Sequence, residues 1–489
     1  MAGIGFELRK IYNEDSLFSK QKAYAYAGIV YTGPMLLGIL LTAGVVVLTM
    51  VAGISENERD YILSNLTYAI IFSLVITSLF SLVVTRFVAD MLYEKKFETI
   101  IPSFYASSAL MLLIGTPLYA IYLALASRSL AEVAMGVLLF GELCLVWNVI
   151  TYLTAIKSYK EIIKGFFLAI GVTVVSGLLS IFLHQKYGIF LSVCLGYGGM
   201  MFWMVRLIHD YFPSNLKMSF EFLKWFDQFS DLAKTGLYML VALFAHIVIN
   251  WFGPISKSFD GFFRTAPVYD VPAMLAYLTT LVSTLNFVMS VEVSFYPHFR
   301  RYFKLYNEEG SLSDIQEAET QMLDVMSNEL KYVFWKQLLA TIFIMFFGSV
   351  ALTYLPIGFN NQMHGYFLTL CLAYGLYAVG NVNILLLMYF ADYKGAKKLA
   401  KHFAILTVVL SFGSQFLDSA FLGYAFLISS LVLFIESGQE IDKYTSDLQY
   451  HFLGSQTMVS KKDVGYFEKW TERLENIQKR WGKWIGKRV

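Results

Sequence analysis

Long apolar runs separated by short polar gaps occupy almost the whole of this chain. They cover residues 23 to 53, 66 to 92, 101 to 126, 132 to 156, 162 to 183, 188 to 212, 231 to 253, 268 to 297, 331 to 356, 364 to 393, 399 to 416 and 420 to 438. Each reaches or approaches the ~20 residues with which an α-helix crosses the hydrocarbon core of a bilayer. The pattern predicts an all-α polytopic membrane protein with 12 transmembrane helices.

The gaps differ in charge, and the difference sets an orientation. Lys and Arg fall almost entirely into alternate gaps: 33 of the 38 lie with the N-terminus, the even-numbered gaps and the C-terminal tail. The other gaps hold Arg59, Arg128, Lys186, Lys257 and Arg264. Positive residues stay on the cytoplasmic side, so both termini are expected there. The polar start, Arg9 to Lys22, does not have the form of a cleavable signal peptide.

Composition agrees. A chain of 489 residues that is 57% hydrophobic and 15% charged is too apolar for a soluble protein, and its net charge of +2 carries no implication of nucleic-acid binding. Cys144, Cys194 and Cys371 sit inside apolar runs without metal-ligand spacing and read as packing residues. There is no G-x-x-x-x-G-K-[ST] phosphate loop, no H-E-x-x-H zinc pair and no Asp-x-Asp metal pair. No metal, cofactor or catalytic residue is therefore expected, and the chain reads as a transporter rather than an enzyme.

The polar stretch 206–230 divides the helices six plus six: an N-terminal lobe at 1–205, a cytoplasmic linker, and a C-terminal lobe at 231–438. Transporters are often built from two such halves. Gly33-Pro34, Pro117 and Gly253-Pro254 mark expected bends. A cytoplasmic insert at 298–330 carries a capping-box pair, Ser313 and Gln316, followed by Ile315, Ala318, Met322, Val325 and Leu330 at helical spacing. It reads as a surface helix or a docking site for a cytoplasmic partner. In the basic tail, 439–489, Trp470, Leu474, Ile477, Trp481, Trp484 and Ile485 form an apolar stripe suited to the headgroup layer of the bilayer.

Several strings resemble a known family. Met1-Ala-Gly-Ile-Gly-Phe-Glu-Leu-Arg9 precedes Ala25-Tyr-Ala-Gly28 and Thr32-Gly-Pro34. Further on come Thr85-Arg86-Phe-Val-Ala-Asp90, Tyr269-Asp270-Val-Pro272 and Phe287-Val-Met-Ser-Val-Glu292-Val-Ser-Phe295-Tyr296. Together they resemble the PelG family, the inner-membrane export component of Pel exopolysaccharide systems, from residue 1 to about 440. The resemblance implies membership of the MOP exporter superfamily, with MATE and Wzx-type transporters, and two six-helix lobes around a central cavity. It also implies a biofilm polysaccharide rich in N-acetylgalactosamine. Its implied partners are a cytoplasmic glycosyltransferase (PelF-like) and PelD/PelE-like membrane proteins.

A charge inside a bilayer costs at least ~2.5 kcal/mol at the centre on insertion scales, so such residues are candidates for function. Glu142 and Glu292 lie within apolar runs, whereas Arg86, Asp90 and Asp392 lie near cytoplasmic helix ends. Arg86 and Asp90, four apart, share a helix face and can pair as a clamp. Laying 78–86 over 284–292 makes Arg86 and Glu292 equivalent, which suggests a gating ion pair between the lobes. A neutral glycan asks for stacking and hydrogen-bonding surfaces. Trp147, Asn148, Asn250, Trp251, Asn286, Asn381 and Asn383 combine these chemistries within or at the ends of helices, although interhelical hydrogen bonds would use the same residues. Asp260 and Arg264 lie in an external loop at the expected exit, and His246 is either a proton relay or a hydrogen-bonded packing residue.

The expected function is translocation of an exopolysaccharide within a synthesis and export complex. Two alternatives stand beside it: a MATE-like antiporter of small molecules or lipid-linked oligosaccharides, and a membrane scaffold that recruits and activates a glycosyltransferase. The sequence leaves open whether an ion gradient or polymer growth drives transport.

Overall fold

A computed structural model of the chain describes residues 18–127, 129–156, 158–185, 187–213, 217–259, 263–307, 310–354, 359–455 and 465–485. The N-terminal string 1–9, Asp260, Arg128, Lys186 and the last residues 486–489 lie outside the described residues. So do the side chains of Trp481, Trp484 and Ile485.

Helices replace the apolar runs almost one for one. They are α1 (Ser19–Val51), α2 (Glu56–Tyr93), α3 (Ile100–Ala126), α4 (Leu130–Ala155), α5 (Tyr159–Phe182), α6 (Gly188–Tyr211) and α7 (Lys224–Asn250). A two-stranded hairpin, β1 (Lys257–Ser258) with β2 (Arg264–Thr265), follows. Then come α8 (Pro267–Tyr277), α9 (Thr280–Met289), a π-helix at Ser290–Phe295, α10 (Tyr296–Asn307) and α11 (Leu312–Phe343). A second π-helix at Ile344–Gly348 leads into α12 (Ser349–Tyr354). The chain finishes with α13 (Asn361–Tyr389), α14 (Tyr393–Ser414), α15 (Leu422–Ser446), α16 (Leu448–Ser455) and α17 (Tyr466–Ile485). Among the described residues, ten helical stretches are long and apolar enough to cross a membrane, and Leu36–Val51 is a shorter apolar one.

Local chemistry sets where these helices start and stop. Ser55, Ser129, Asn360 and Asp392 accept backbone N–H bonds from Glu58, Glu132, Met363 and Gly395, the N-cap arrangement that satisfies first-turn donors. At the end of α1, Gly53 takes φ 65° and Ile54 N donates back to Thr49 O at 3.1 Å. His184 repeats the manoeuvre at the end of α5 with φ 51° and a Gln185 N to Ser180 O bond of 3.0 Å. Pro117 is carried inside α3 without ending it.

The contacts group the chain into two compact units. One comprises Pro34–Val241, Ser258–Arg264 and Thr457–Val489. Its central helix is α4, where Leu139, Phe140, Leu143, Val146, Val149, Tyr152 and Leu153 are fully buried. Gly196 of α6 lies so close to α5 that a Cβ there would sit 2.7 Å from Ala169 O and 2.0 Å from Thr173 Oγ1. The tail helix α17 joins this unit through Asp227, whose carboxylate accepts from Phe467 N at 3.0 Å and Glu468 N at 2.9 Å. Phe467 also packs its ring 5.4 Å from that of Phe226.

The other unit comprises Met1–Gly33, Ala242–Lys257 and Thr265–Gln456. Here α13 is central: 78% of its apolar window is buried, against 17% for the stretch containing α11. Trp335, Leu339, Ile342, Phe343, Phe346 and Phe347 stay exposed on that second stretch, as a lipid-facing surface requires.

The 298–330 insert departs from the sequence reading in two ways. It is a helical hairpin that prolongs its flanking helices, made by α10 and the first turns of α11. The N-cap of α11 is Ser311, which accepts from Asp314 N at 3.2 Å, so the expected capping box at Ser313 is displaced by two residues. The buried stripe is correspondingly Ala318, Met322 and Met326, and Val325 is only half-buried. Ala318 and Met322 were in the expected stripe, but Met326 replaces Val325 because the helix phase is set by packing with α10 rather than by the cap alone.

The close approach of α5 and α6 yields the first prediction. Gly196→Ala forces a Cβ against a backbone carbonyl that cannot step aside, and about 1–3 kcal/mol of destabilisation is expected in thermal unfolding of detergent-solubilised protein. Gly171→Ala, on α5 with nothing within 4 Å of the new Cβ, is expected to be neutral or stabilising.

Candidate functional site

Helix α4 distributes polar side chains to three neighbours. Trp147 Nε1 donates to Ser73 Oγ on α2 at 3.0 Å. Asn148 Nδ2 donates to Ser107 Oγ at 2.9 Å and to Ser108 Oγ at 2.8 Å, both on α3. Tyr152 OH lies 3.1 Å from Ser103 Oγ, so α3 and α4 are joined by a ladder of hydroxyls and an amide. Glu142 turns towards α6, where a Cβ at Gly198 would fall 2.9 Å from Oε1. It is 9% exposed, and its Oε2 finds no hydrogen-bond partner among the described residues. Trp147 and Asn148 thus spend their donors on helix ties, whereas Glu142 keeps an oxygen in reserve inside an apolar helix.

An aromatic group not singled out in the sequence lies in the same unit. Tyr68 stacks on Tyr122 at 5.4 Å, Phe72 lies 5.5 Å from Tyr122, and Tyr119 stacks on Phe140 at 4.8 Å. Tyr68 OH donates to the backbone oxygen of Arg264 at 2.8 Å, which pins the β-hairpin at this point. With 32 Tyr and 42 Phe in the chain, no local signal distinguishes these rings from the rest.

In the second unit Glu292 occupies the π-helix, where Ser290, Val291 and Phe295 are buried beside it and Glu292 itself is 2% exposed. A π-turn adds a residue to the helical circuit, weakens the regular ladder and recurs at functional sites. Ser290 and Ser294 of that turn, with Tyr24, Asn328, Glu329 and Tyr332, help to line a cavity of about 320 Å³. Next to Tyr332 and Tyr24 lies Lys336. Its Nζ donates to Asn286 Oδ1 at 3.0 Å and to Tyr24 OH at 3.3 Å, and it stands 4.1 Å from the Tyr332 ring centroid and 4.9 Å from that of Tyr24. A cation held by two aromatic faces and an amide oxygen is stabilised without a carboxylate. Sequence reasoning counted Lys336 only as a side-marking charge. The Tyr332–Lys336 spacing of four was legible, but Tyr24, 312 residues away, was not.

Asn250, Trp251 and His246 belong to a further network in this unit. Asn250 Oδ1 accepts from Gln415 Nε2 at 2.8 Å. Trp251 Nε1 donates to Asp270 Oδ2 at 2.9 Å, which also accepts from Ala266 N at 3.1 Å, while Asp270 Oδ1 has no hydrogen-bond partner among the described residues. Asp270 appeared in the sequence only within a family-like string. His246 lies 2.8 Å from Tyr269 OH and 3.3 Å from Tyr374 OH and stacks on Phe426 at 4.0 Å, which is the geometry of a hydrogen-bonded packing residue. Asn383 Nδ2 donates to Ser437 Oγ at 3.0 Å and ties α13 to α15; Asn381, on the same helix, is half-buried.

The charges near helix ends are locally engaged. Arg86 Nε is 3.2 Å from Asp90 Oδ1, Trp225 Nε1 donates to Asp90 Oδ2 at 2.8 Å, and the Arg86 guanidinium lies 5.4 Å over the Phe229 ring, where α7 kinks. Both partners of the ion pair are partly exposed, so it contributes about 0.3–0.5 kcal/mol. Asp392 caps α14 through Gly395 N. Arg264 lies in β2 beside the Tyr68 ring cluster, and its proposed companion Asp260 lies outside the described residues.

The family model PelG, "Putative exopolysaccharide Exporter (EPS-E)", matches residues 1–452. No curated protein matched. Among solved structures, a crystal structure of a MATE mutant is similar with a TM-score of 0.57 at 13% identity, covering 88% of this chain and 97% of that one. The outward-facing conformation of a multidrug resistance MATE family transporter of the MOP superfamily gives a TM-score of 0.55 at 12% identity, covering 87% and 96%. An inward-facing conformation of such a transporter gives 0.52 at 11%, covering 91% and 99%. At these identities the likeness is one of fold.

Helix ties and reserved groups should separate in stability measurements. Asn148→Leu leaves Ser107 and Ser108 without their donor and is expected to lower stability by about 1–2 kcal/mol in denaturant unfolding. Glu142→Gln, which removes a charge but no described hydrogen bond of Oε2, is expected to match or exceed the native protein.

Proposed function

Because the chain belongs to the PelG family of exopolysaccharide exporters, we propose that it carries a Pel-like polysaccharide, rich in N-acetylgalactosamine, across the bacterial cytoplasmic membrane for the biofilm matrix. The family match over residues 1–452 is the observation that carries this reading. The MATE-like fold agrees with it, as do ten membrane-length apolar helices. The asymmetry of Lys and Arg supports both termini in the cytoplasm. That side then holds the 298–330 hairpin and the basic tail, facing a PelF-like glycosyltransferase, with PelD/PelE-like proteins alongside in the membrane. The six-plus-six division with its linker at 206–230 is part of this proposal; by contacts, residues up to Val241 group with the first unit and Met1–Gly33 with the second.

A glycan passing through a bilayer needs acceptors for its hydroxyls and rings for its apolar faces. Glu142, Trp147, Asn148, Asn250, Trp251, Asn286, Glu292, Asn381 and Asn383 are the proposed path residues. Their weight is unequal. Asn148, Asn250 and Asn383 already hold helices together, which leaves Glu142, with an unspent oxygen, and Glu292, in a π-turn, as the strongest path candidates. Lys336 joins them, since its cage of Tyr24, Tyr332 and Asn286 borders an open cavity. Arg86 and Asp90 serve as a clamp near the cytoplasmic end, and Arg264 stands at the exit.

Glu292→Gln is expected to lower polymer in the culture supernatant at least tenfold, with the protein's abundance in the membrane unchanged. Export at the native level from this variant would remove Glu292 from the path. Collapsing the proton or sodium gradient while synthesis is maintained tells the two driving forces apart: continued export means that polymer growth supplies the push.

A further inference from the structure

A cavity lies wholly within the unit built on α2 to α6, at the end where α1 meets α2, α3 meets α4 and α5 meets α6. Its volume is about 760 Å³, within the range of sites that take small organic ligands. Glu58, Tyr61, Asn65, Glu132, His184 and Tyr187 contribute to its wall. None of these was expected to bind anything.

Part of this arrangement has an ordinary explanation. Glu58 and Glu132 stand in the first turns of α2 and α4 behind the N-caps Ser55 and Ser129, where carboxylates offset the helix dipole. Capping does not explain the rest. Tyr61 OH donates across to Glu132 Oε2 at 2.9 Å, and Tyr187 OH donates to Ser129 Oγ at 3.3 Å, so two rings are fixed in the wall by their hydroxyls. Asn65 is 2% exposed; its Nδ2 donates to Tyr61 O at 3.0 Å, and its Oδ1 has no hydrogen-bond partner among the described residues. A buried amide oxygen left without a donor costs about 1–3 kcal/mol. His184, whose left-handed φ of 51° closes the end of α5, stands at the rim.

We propose that this cavity is a carbohydrate site, which takes a sugar unit of the exported polymer through its hydroxyl and amide donors. The wall offers acceptors in the carboxylates of Glu58 and Glu132, with the buried amide of Asn65 behind them, and tyrosine rings for the apolar face of a pyranose. Two residues that flank the stretch proposed as an exit reach the same place: Phe263 and Phe259 set their rings 5.5 Å and 6.5 Å from that of Tyr61. The site therefore belongs to the Lys- and Arg-poor end of the unit, where polymer that has crossed the membrane would emerge. This inference rests on the polysaccharide-export reading and adds to it a holding point after the crossing.

Binding to the purified full-length protein in detergent, read by calorimetry with a neutral N-acetylhexosamine tetrasaccharide, tests it. The native protein is expected to bind, and Glu58→Gln, Asn65→Leu and Glu132→Gln are each expected to weaken binding at least fivefold while eluting as folded protein, with the thermal unfolding of Glu58→Gln unchanged. Glu58→Gln, at an exposed position, guards against a folding defect. No binding at 10 mM tetrasaccharide, native-like binding by all three variants, or preference for tetraethylammonium over the sugar would overturn the proposal. Polymer release from cells keeps the two readings apart. If the variants bind and export like the native protein while Glu292→Gln does not export, the site fails and the export reading stands. If cells lacking the protein export normally, the export reading fails whatever the tetrasaccharide does.

Discussion

Water is absent from the core of a bilayer, so a polar group carried into it must find its partner inside the protein or remain unsatisfied at a cost of several kcal/mol. The organisation of this chain follows from that condition. Its hydroxyls fold back onto their own helices: Thr77 onto Ser73 O at 2.8 Å, Ser192 onto Ile189 O at 2.7 Å, Ser429 onto Ala425 O at 2.8 Å. Its amides and indoles reach across to neighbours, as Asn148 does to α3, Asn383 to α15 and Gln337 to the backbone oxygen of Thr279. Such bonds average about 0.6 kcal/mol in membranes, so their number matters more than any one of them.

Against this background the exceptions acquire meaning. Glu142 and Asp270 each keep a buried carboxylate oxygen that nothing described in the protein satisfies. Lys336 is held by rings and an amide with no carboxylate among these contacts, an arrangement that fixes a cation beside the cavity lined by Tyr24 and Tyr332. The two π-helices, at Ser290–Phe295 and Ile344–Gly348, loosen consecutive spans of the same unit. A transporter must open a polar route without melting its helices, and a π-turn supplies local freedom at modest cost.

Much of the fold was legible in the sequence because one periodicity, the length of an apolar run, is dictated by the bilayer itself. The helices from Glu56–Tyr93 to Leu422–Ser446 fall on the expected runs, and the charge of the gaps carried the orientation argument. Finer placement was less legible. The cap of α11 moved from Ser313 to Ser311, and Met326 took the place assigned to Val325, because tertiary packing chose the phase of an amphipathic helix. The chemistry was least legible of all. Glu142 stood out as a charge in an apolar run, but the Lys336 cage joins α1, α9 and α11, and the Asn65 cavity joins the ends of five helices; no spacing along the chain encodes either. Asn148 and Trp147 were marked as sugar contacts for their chemistry, and that same chemistry makes them helix ties.

The central claim is that polysaccharide passes through this protein. Photo-crosslinking during synthesis in native membranes tests it most directly, with a benzophenone amino acid replacing Trp147 or Tyr332, beside the polar clusters of the two units, and Leu113 or Leu339 as controls at lipid-exposed positions, each 70% exposed. The account predicts radiolabelled polymer attached to the protein from the first pair and lipid adducts alone from the second. Polymer adducts absent from both, while export continues, would contradict it.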